Sequence, residues 1–417
     1  MARHFQAVGV VVMGSESETA QLLLGPVEMV VLQGTGFCNL NCDYCYLSED
    51  SRQNKSKMPI GTTIAIFEKL LHSHYLGDEV RVSWHSGEPL VLKPEYYRAA
   101  MDGILELREA QGKNVQITFD IQTNGTLINQ EWCNLLKEYH EYLSIGISCD
   151  GPEFLHDQHR KTWRGMPTHH RTQHGMQLLV DNGIPFDVTA VISPEGLHYP
   201  IEFIEFFSPF VEYVREFHFN LHDEFFIDRD VEEKVQEYTE SYAFFLRSLL
   251  DYCDEKGDCK IPRIRNFSTF YNRLFVDSDK RPGYDARSMC RPFKTLSIEI
   301  NGDVTTFYAG LTVDECKDLK NLYGDGCGMV IGNILTDSLE EIASSAKLGR
   351  IQKDFEYSHR ACESQCDYFE LCSGGYNLIK YRRYGRFDAV ETPECKVHVK
   401  AFADTLMDHM NEHLSQS

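Results

Sequence analysis

The stretch Val27-Glu-Met-Val-Val-Leu32-Gln33-Gly-Thr-Gly-Phe-Cys38-Asn-Leu-Asn-Cys42-Asp-Tyr44-Cys45 decides how this chain reads. Its first part, Val27 to Leu32, is a short apolar run of the kind that forms a buried strand. Its second part sets three cysteines at C-x3-C-x2-C on the loop leaving that strand. Three thiolates this close on one loop suit an iron–sulfur cluster with one iron left without a protein ligand. An open iron can bind a substrate or cofactor, so the motif points to chemistry more than to electron storage. A zinc loop is the alternative, and it would want a fourth Cys or His nearby.

Outward from this strand, short apolar runs alternate with helical periods, as βα units do. Strands are predicted at Val27–Gln33, Val80–His85, Val115–Gln122, Leu143–Cys149, Phe186–Ile192 and Glu216–Leu221. Helices are predicted at Thr62–His74, Pro94–Gln111, Gln130–Tyr139, His174–Asn182 and Tyr199–Phe207. Six strands alternating with helices imply an α/β fold, a parallel sheet curled into all or part of a barrel. The polar motifs of this region fall at the C-terminal ends of the strands, the rim where parallel α/β proteins bind ligands.

Several of these stretches, taken in order, resemble the radical S-adenosylmethionine (SAM) enzymes. The cysteine spacing, with Tyr44 before the last cysteine, is similar to their signature. Ser86-Gly87-Glu88-Pro89 resembles their GGEP motif, with Ser86 in place of the first glycine. Gln122-Thr123-Asn124-Gly125-Thr126 resembles the end of their next strand. Ser148-Cys149-Asp150-Gly151-Pro152, followed by His156-Asp157-Gln158-His159-Arg160, resembles a stretch of their peptide- and protein-modifying branch. The resemblance runs from about Val27 to Lys400. It implies an open, TIM-like partial (β/α)6 barrel and a [4Fe–4S] cluster on Cys38, Cys42 and Cys45 that binds SAM at its open iron. It further implies that an electron from this cluster cleaves SAM to methionine and a 5′-deoxyadenosyl radical, which takes a hydrogen from an unactivated carbon. By motif position, Glu88 accepts from the SAM amino group and Arg160 pairs with the SAM carboxylate. Ser148 and Asp150 lie near the ribose, and Asn124 lines the same site.

A second cysteine group reads Cys362-x3-Cys366-x5-Cys372, then Cys395. It resembles the SPASM domain, which carries auxiliary clusters in peptide-modifying radical SAM enzymes. Four cysteines can close a four-iron cluster completely, and a zinc site is the alternative. The pattern departs from the family's in its x3 spacing, and in Tyr376 and Phe307, which stand where cysteines are expected. Both would have served a further auxiliary cluster, so one auxiliary [4Fe–4S] cluster is expected rather than two. Cys290 remains from that set, and Cys316 and Cys327 sit in what reads as an insertion loop. Cys133, Cys149, Cys253 and Cys259 lack partners at useful spacing and read as packing thiols.

The chain has 417 residues, enough for two or three domains. The expected division is an N-terminal segment (1–26), a radical SAM barrel (27–230), a helical bridge (231–285) and a SPASM-type domain (286–417). Residues 1–25 suggest a leading strand or hairpin, Glu232–Glu255 an acidic helix, and Leu296–Phe307 a hairpin turned at Asn301-Gly302. A net charge of −22 repels phosphate backbones, so no nucleic-acid partner is expected. The best basic stretch, Lys380 to Arg386, reads as a solvated face or loop. No apolar run reaches the roughly 18 residues that span a bilayer, and no signal peptide shows in residues 1–33. The expectation is a cytoplasmic protein with reduced thiols.

The subgroup most similar in phrasing is the peptide maturases that form three-residue cyclophanes. It implies a ribosomally made precursor peptide as partner, with an electron donor such as flavodoxin or ferredoxin. An anaerobic sulfatase-maturing enzyme, which oxidises Ser or Cys to formylglycine, is the alternative within the class, though that group usually carries the full set of SPASM cysteines. A non-catalytic iron–sulfur or zinc protein is the alternative of another class, and it would leave Glu88 and Arg160 unexplained.

Overall fold

The computed structural model describes residues 24–222, 231–256, 263–276, 290–308, 311–312 and 316–416. The leading segment expected over 1–25 lies outside these residues except for Leu24 and Gly25, as does Cys259. Six parallel strands come first: β1 (Val27–Leu32), β2 (Leu76–Trp84), β3 (Gln116–Thr123), β4 (Leu143–Ser148), β5 (Phe186–Ile192) and β6 (Val214–Leu221). Each pairs with the next in chain order, through registers such as Val30↔Val82, Val82↔Phe119, Ile121↔Ile145, Ile147↔Val188 and Ala190↔Phe219. The helices between them are α1 (Glu49–Gln53), α2 (Ile60–His72), α3 (Pro94–Ala110), α4 (Gln130–Glu138), α5 (Glu153–His159), α6 (His169–Asp181) and α7 (Pro200–Phe207). This is the open (β/α)6 arrangement, a partial TIM-like barrel.

The sheet has a dry face and a polar face. Along β3, Ile117, Phe119, Ile121 and Thr123 are buried, while Gln116, Thr118, Asp120 and Gln122 stay accessible. The period of two sends the first set toward the helices and the second into the hollow of the barrel. On the dry side Phe119 stacks on Trp84, which meets Tyr97 of α3, which meets Trp132 of α4. In the hollow, Ser83 donates to Asp120 at 2.6 Å and Gln122 donates to Ser148 at 3.0 Å.

Two elements extend further than their apolar pattern. β2 begins at Leu76 although Gly77, Asp78 and Glu79 break the hydrophobic run, because Leu76 pairs with Val27 and Glu79 with Gln116. α6 begins at His169, a turn before its first periodic residues. Its polar first turn is held from outside: Asp157 Oδ1 accepts from the backbone N–H of Thr168 and His169 at 2.7 and 2.8 Å. Such a cap satisfies helix donors that the sequence pattern leaves open.

Past β6 the chain forms α8 (Val231–Lys256) and α9 (Arg265–Phe275). Phe245 of α8 packs on Phe203 of α7 and Phe219 of β6, with centroids 5.6 and 5.9 Å apart. Each such ring contributes roughly 1.5–3 kcal/mol by burial, so α8 is fixed against the last strands. The expected hairpin is present as β7 (Thr295–Ile298) and β8 (Asp303–Thr306), turning at Gly302 with φ 88°. β7 pairs in parallel with β1, and β8 and β9 (Gly332–Asn333) follow, so one nine-stranded sheet runs through both regions. The remaining helices are α10 (Leu339–Ala343), α11 (Ala346–Gln365), α12 (Phe369–Cys372), α13 (Asn377–Tyr384) and α14 (Phe402–Gln416), with a π-helical stretch at Cys395–Ala401 leading into α14. No helix among the described residues is long and apolar enough to cross a membrane.

Candidate active site

The loop after β1 carries Cys38, Cys42 and Cys45, and it is clamped from three directions. From α1, Arg52 accepts the Cys38 N–H on its carbonyl at 2.9 Å, and its guanidinium reaches Leu47 O at 3.1 Å and the Asn41 side chain. From the segment after α5, Lys161 O accepts from Asn41 N at 2.7 Å, and Trp163 Nε1 donates to Cys38 O at 2.9 Å. From the end of β3, Asn124 Nδ2 donates to Asn39 Oδ1 at 2.9 Å, and Asn39 Nδ2 donates to Thr126 Oγ1 at 2.9 Å. A loop so tied presents its thiols at set positions.

The neighbouring turn locks onto the same loop. Ser86 adopts φ 90°, a conformation L-residues rarely take, at the position where the motif has glycine. Gly87 follows at φ 59°, and a Cβ there would meet Gly36 O at 2.6 Å and Phe37 O at 2.7 Å. Glu88 then donates its backbone N–H to Phe37 O at 2.8 Å. The Glu88 carboxylate is buried and accepts from Leu90 N and Thr123 Oγ1 on Oε1, and from Asn124 N on Oε2. A carboxylate has about four acceptor sites, so one on Oε2 remains for a further donor. Burial raises the Glu88 carboxyl above its ordinary value, against those hydrogen bonds and the Arg160 charge. A bound cation would favour its ionised form.

Asp150 and Arg160 face each other. Arg160 donates from Nε to Asp150 Oδ2 at 2.8 Å and from Nη2 to Oδ1 at 3.1 Å, and both side chains are buried. Tyr44 OH donates to Asp150 Oδ2 at 2.5 Å, and the Arg160 guanidinium lies over the Tyr44 ring at 5.4 Å. Burial alone would raise the Asp150 carboxyl, but the Arg160 charge and these hydrogen bonds hold it below its ordinary value. Asp150, Arg160 and Tyr44 therefore form one network. Arg160 keeps its Nη1 donors for another anion. Ser148 ends β4, half-buried beside Gln122.

Burial pushes all three loop thiols up, Cys42 to about 11 with Arg160 partly opposing, and Cys38 further, with the Glu88 charge adding to burial. Such thiols give up their protons to a metal rather than to water. Among the described residues, three ligand atoms lie within 4.8 Å of one another at Asp254, His409 and His413, and not at the cysteines. A single zinc, with Zn–S bonds of about 2.3 Å, needs sulfurs about 3.8 Å apart. The spread of the thiols fits a multi-iron cluster better than a mononuclear ion.

The second thiol group also converges. Cys362 closes α11, Cys366 caps it, Cys372 ends α12, and Cys395 opens the π-helical stretch. All four line one cavity, together with Tyr368, Phe369 and Lys400. The chain makes room there through Ser373, Gly374 and Gly375, which all have positive φ. Burial, with the neighbouring Cys395, raises the Cys372 thiol to about 11. Lys380 Nζ donates to Cys362 Sγ at 3.0 Å and to Ser358 Oγ at 2.9 Å. Lys380 is 1% exposed and departs from the rest of its basic stretch, Tyr381 to Arg386, which stays accessible as a solvated face. α13 turns its polar side outward at Arg382 and this one lysine inward. The two positions missing a cysteine are filled by packed rings: Tyr376 stacks on Tyr308 at 4.0 Å, and Phe307 lies tilted against Phe355 at 4.3 Å.

Sequence reasoning missed Tyr44, Thr123, Trp163 and Lys380. Tyr44 lay inside the quoted motif, and its neighbours were the available signal. Lys380 had none, because the sulfur it touches lies 18 residues away. Cys149 is fully buried, and burial raises its thiol to about 12, as a packing cysteine requires.

The radical SAM superfamily model matches residues 32–207. The chain belongs to the radical SAM superfamily. Its enzymes use a [4Fe–4S] cluster and SAM, and the donor sets described above fit both. The uncharacterized protein sll1766 of Synechocystis sp. is 33% identical over 392 residues, covering 94% of each chain. A serine-type anaerobic sulfatase-maturating enzyme of Bacteroides thetaiotaomicron is 32% identical over 186 residues, 44% of each chain. Among solved structures, native anSMEcpe with bound AdoMet superposes with a TM-score of 0.73 at 20% identity, covering 94% of this chain and 100% of that one. A structure of the same protein with AdoMet and the Cp18Cys peptide superposes at 0.70, covering 94% and 99% at 20% identity. At that identity the likeness concerns the fold.

Proposed function

We propose that this radical SAM enzyme modifies a ribosomally made precursor peptide, joining a β-carbon of one residue to an aromatic ring carbon of another. The observation that carries the reading is the pairing of a three-thiol loop with a four-thiol cavity in one chain. Three thiolates would leave one iron of a bound cluster without a protein ligand, and four would ligate every iron, which would suit the second to taking an electron away. When bound, the open cluster and SAM supply a 5′-deoxyadenosyl radical that removes a hydrogen from carbon. In this reading Cys38, Cys42 and Cys45 hold that cluster, and Cys362, Cys366, Cys372 and Cys395 hold the auxiliary one. Glu88 receives the SAM ammonium on its remaining acceptor site. Arg160, steadied by Asp150 and Tyr44, offers its Nη1 donors to the SAM carboxylate. Ser148 lies beside the ribose, and Asn124 acts by holding the cysteine loop through Asn39. The polar hollow lined by Asp120 and Gln122 offers a peptide hydrogen-bonding partners. Net loss of two hydrogens balances the step: one goes to the radical, one leaves the ring as a proton, and one electron passes out.

Anaerobic co-expression with the short peptide encoded beside the gene, followed by mass spectrometry, tests this. A product lighter by two hydrogens, with a fragment bridging an aromatic residue and a β-carbon, is expected. Deuterium placed at that β-carbon should appear in 5′-deoxyadenosine. Deuterium transfer without a bridge would favour formylglycine formation instead. The sulfatase-maturating relative from Bacteroides thetaiotaomicron supports that second reading. The aromatic filling of the other auxiliary positions, Phe307 and Tyr376, favours the first.

A further inference from the structure

We propose a separate metal site, for a zinc ion, on Asp254, His409 and His413. It lies between the last turn of α8 and the end of α14, and no part of the reading above depends on it. His409 and His413 are four apart on α14, so their rings share one face. Their Nε2 atoms sit 3.0 and 2.9 Å from the same oxygen, Asp254 Oδ2. The three ligand atoms all lie within 4.8 Å of one another.

Ion pairing alone does not account for this arrangement. His409 is 5% exposed, yet its Nε2 is buried and makes no hydrogen bond, although Asp254 Oδ2 is 3.0 Å away. The carboxylate oxygen lies near that nitrogen but off its N–H direction. A buried ring nitrogen without a hydrogen bond, with a second imidazole and a carboxylate oxygen within 4.8 Å, is a donor set that one ion would satisfy. At Zn–N of about 2.0–2.1 Å and Zn–O of about 2.0–2.2 Å, tetrahedral ligand atoms lie roughly 3.3 Å apart. The observed separations reach that value by small rotations of Asp254 and His413, which are half exposed.

The surroundings favour a cation. Contacts advance in the same sense along both helices, from Tyr242 with Phe402 to Asp254 with His413. The helices therefore run parallel, and both negative C-terminal ends approach the site. Asp251 Oδ1 stands 3.6 Å from His409 Nε2 and is itself held by Arg247 Nε at 2.9 Å, an outer carboxylate beside the ligand ring. Two imidazoles with one carboxylate suit zinc, whereas calcium and magnesium want oxygen ligands throughout. Three protein ligands leave a fourth position for water. The consequence is mechanical. α14 continues from the π-helical stretch that begins at Cys395, so the ion pins to α8 the helix that carries one thiol of the four-thiol cavity.

The test loads anaerobically reconstituted full-length protein with one equivalent of zinc sulfate, desalts it, and measures zinc and iron by plasma mass spectrometry. About one zinc per chain is expected beside unchanged iron. His413→Ala and Asp254→Asn, both at accessible positions, should lose zinc while keeping their iron. Cys42→Ala should lose iron and keep zinc. Zinc should raise the thermal midpoint of the wild-type protein and leave that of the Asp254→Asn/His413→Ala double variant unmoved. Zinc that persists in the double variant and disappears with the cysteines would overturn the proposal. So would wild-type protein that retains no zinc after desalting.

Discussion

The two cysteine groups are built in opposite ways. The first lies on one loop, between residues 38 and 45, and that loop is tied down by backbone carbonyls, Asn39 and Arg52. The second is gathered from the ends of two helices and the start of a third segment, between residues 362 and 395. Charge also differs. Around the first group the cation Arg160 is spent largely on Asp150, whereas in the second Lys380 touches a sulfur directly. The lesson is that three thiols close in sequence can be presented by one loop once hydrogen bonds from neighbouring segments fix it. Thiols from separate elements are gathered only by the packing that brings those elements together.

The comparison can be broken most sharply by removing a loop thiol. Cys42→Ala should abolish 5′-deoxyadenosine formation and cut iron from about eight per chain to about four. Iron falling to near zero would mean that the two groups do not assemble independently. Gly87→Ala comes next. Its Cβ would drive into Gly36 O and Phe37 O. SAM cleavage should fall on the order of a hundredfold, the cost of displacing reacting groups by about 1 Å. The auxiliary signal in electron paramagnetic resonance should be unchanged, and a loss of both signals would show that the turn supports the whole fold. Glu88→Gln keeps the shape and removes the charge. SAM affinity measured by equilibrium dialysis should weaken by roughly tenfold, the worth of a charge-assisted hydrogen bond. Unchanged affinity would remove Glu88 from the site. The smallest effect is expected at the other group. Lys380→Met should lower the auxiliary cluster's reduction potential by roughly 60 mV, the one-electron equivalent of about 1.4 kcal/mol. An unshifted potential with intact iron would reduce Lys380 to a packing role.

Much of the site was legible because its residues recur at short spacings on loops. Cys38, Cys42, Cys45, Glu88, Asp150 and Arg160 all lie in motifs read at the strand ends, and the structure brings them to one rim. Their partners were not legible. Arg160 and Asp150 were read as reaching separately for the carboxylate and ribose of SAM, and in the fold they grip each other with Tyr44 beneath. Strand and helix positions were read from apolar patterns, and the misses at the start of β2 (Leu76) and of α6 (His169) fall where polar residues continue an element through tertiary hydrogen bonds.

By itself, the sequence determined six βα units, a three-thiol loop on the first, and a four-cysteine set near the end. Periodicity and spacing are local properties, and burial of apolar faces enforces them wherever the chain folds. Only the tertiary structure decided that β7 joins the barrel sheet beside β1, that a lysine from a basic stretch is buried against Cys362, and that two histidines meet Asp254. Those pairings join residues far apart in the chain, and each depends on which helix faces pack together, a choice made by the whole core at once.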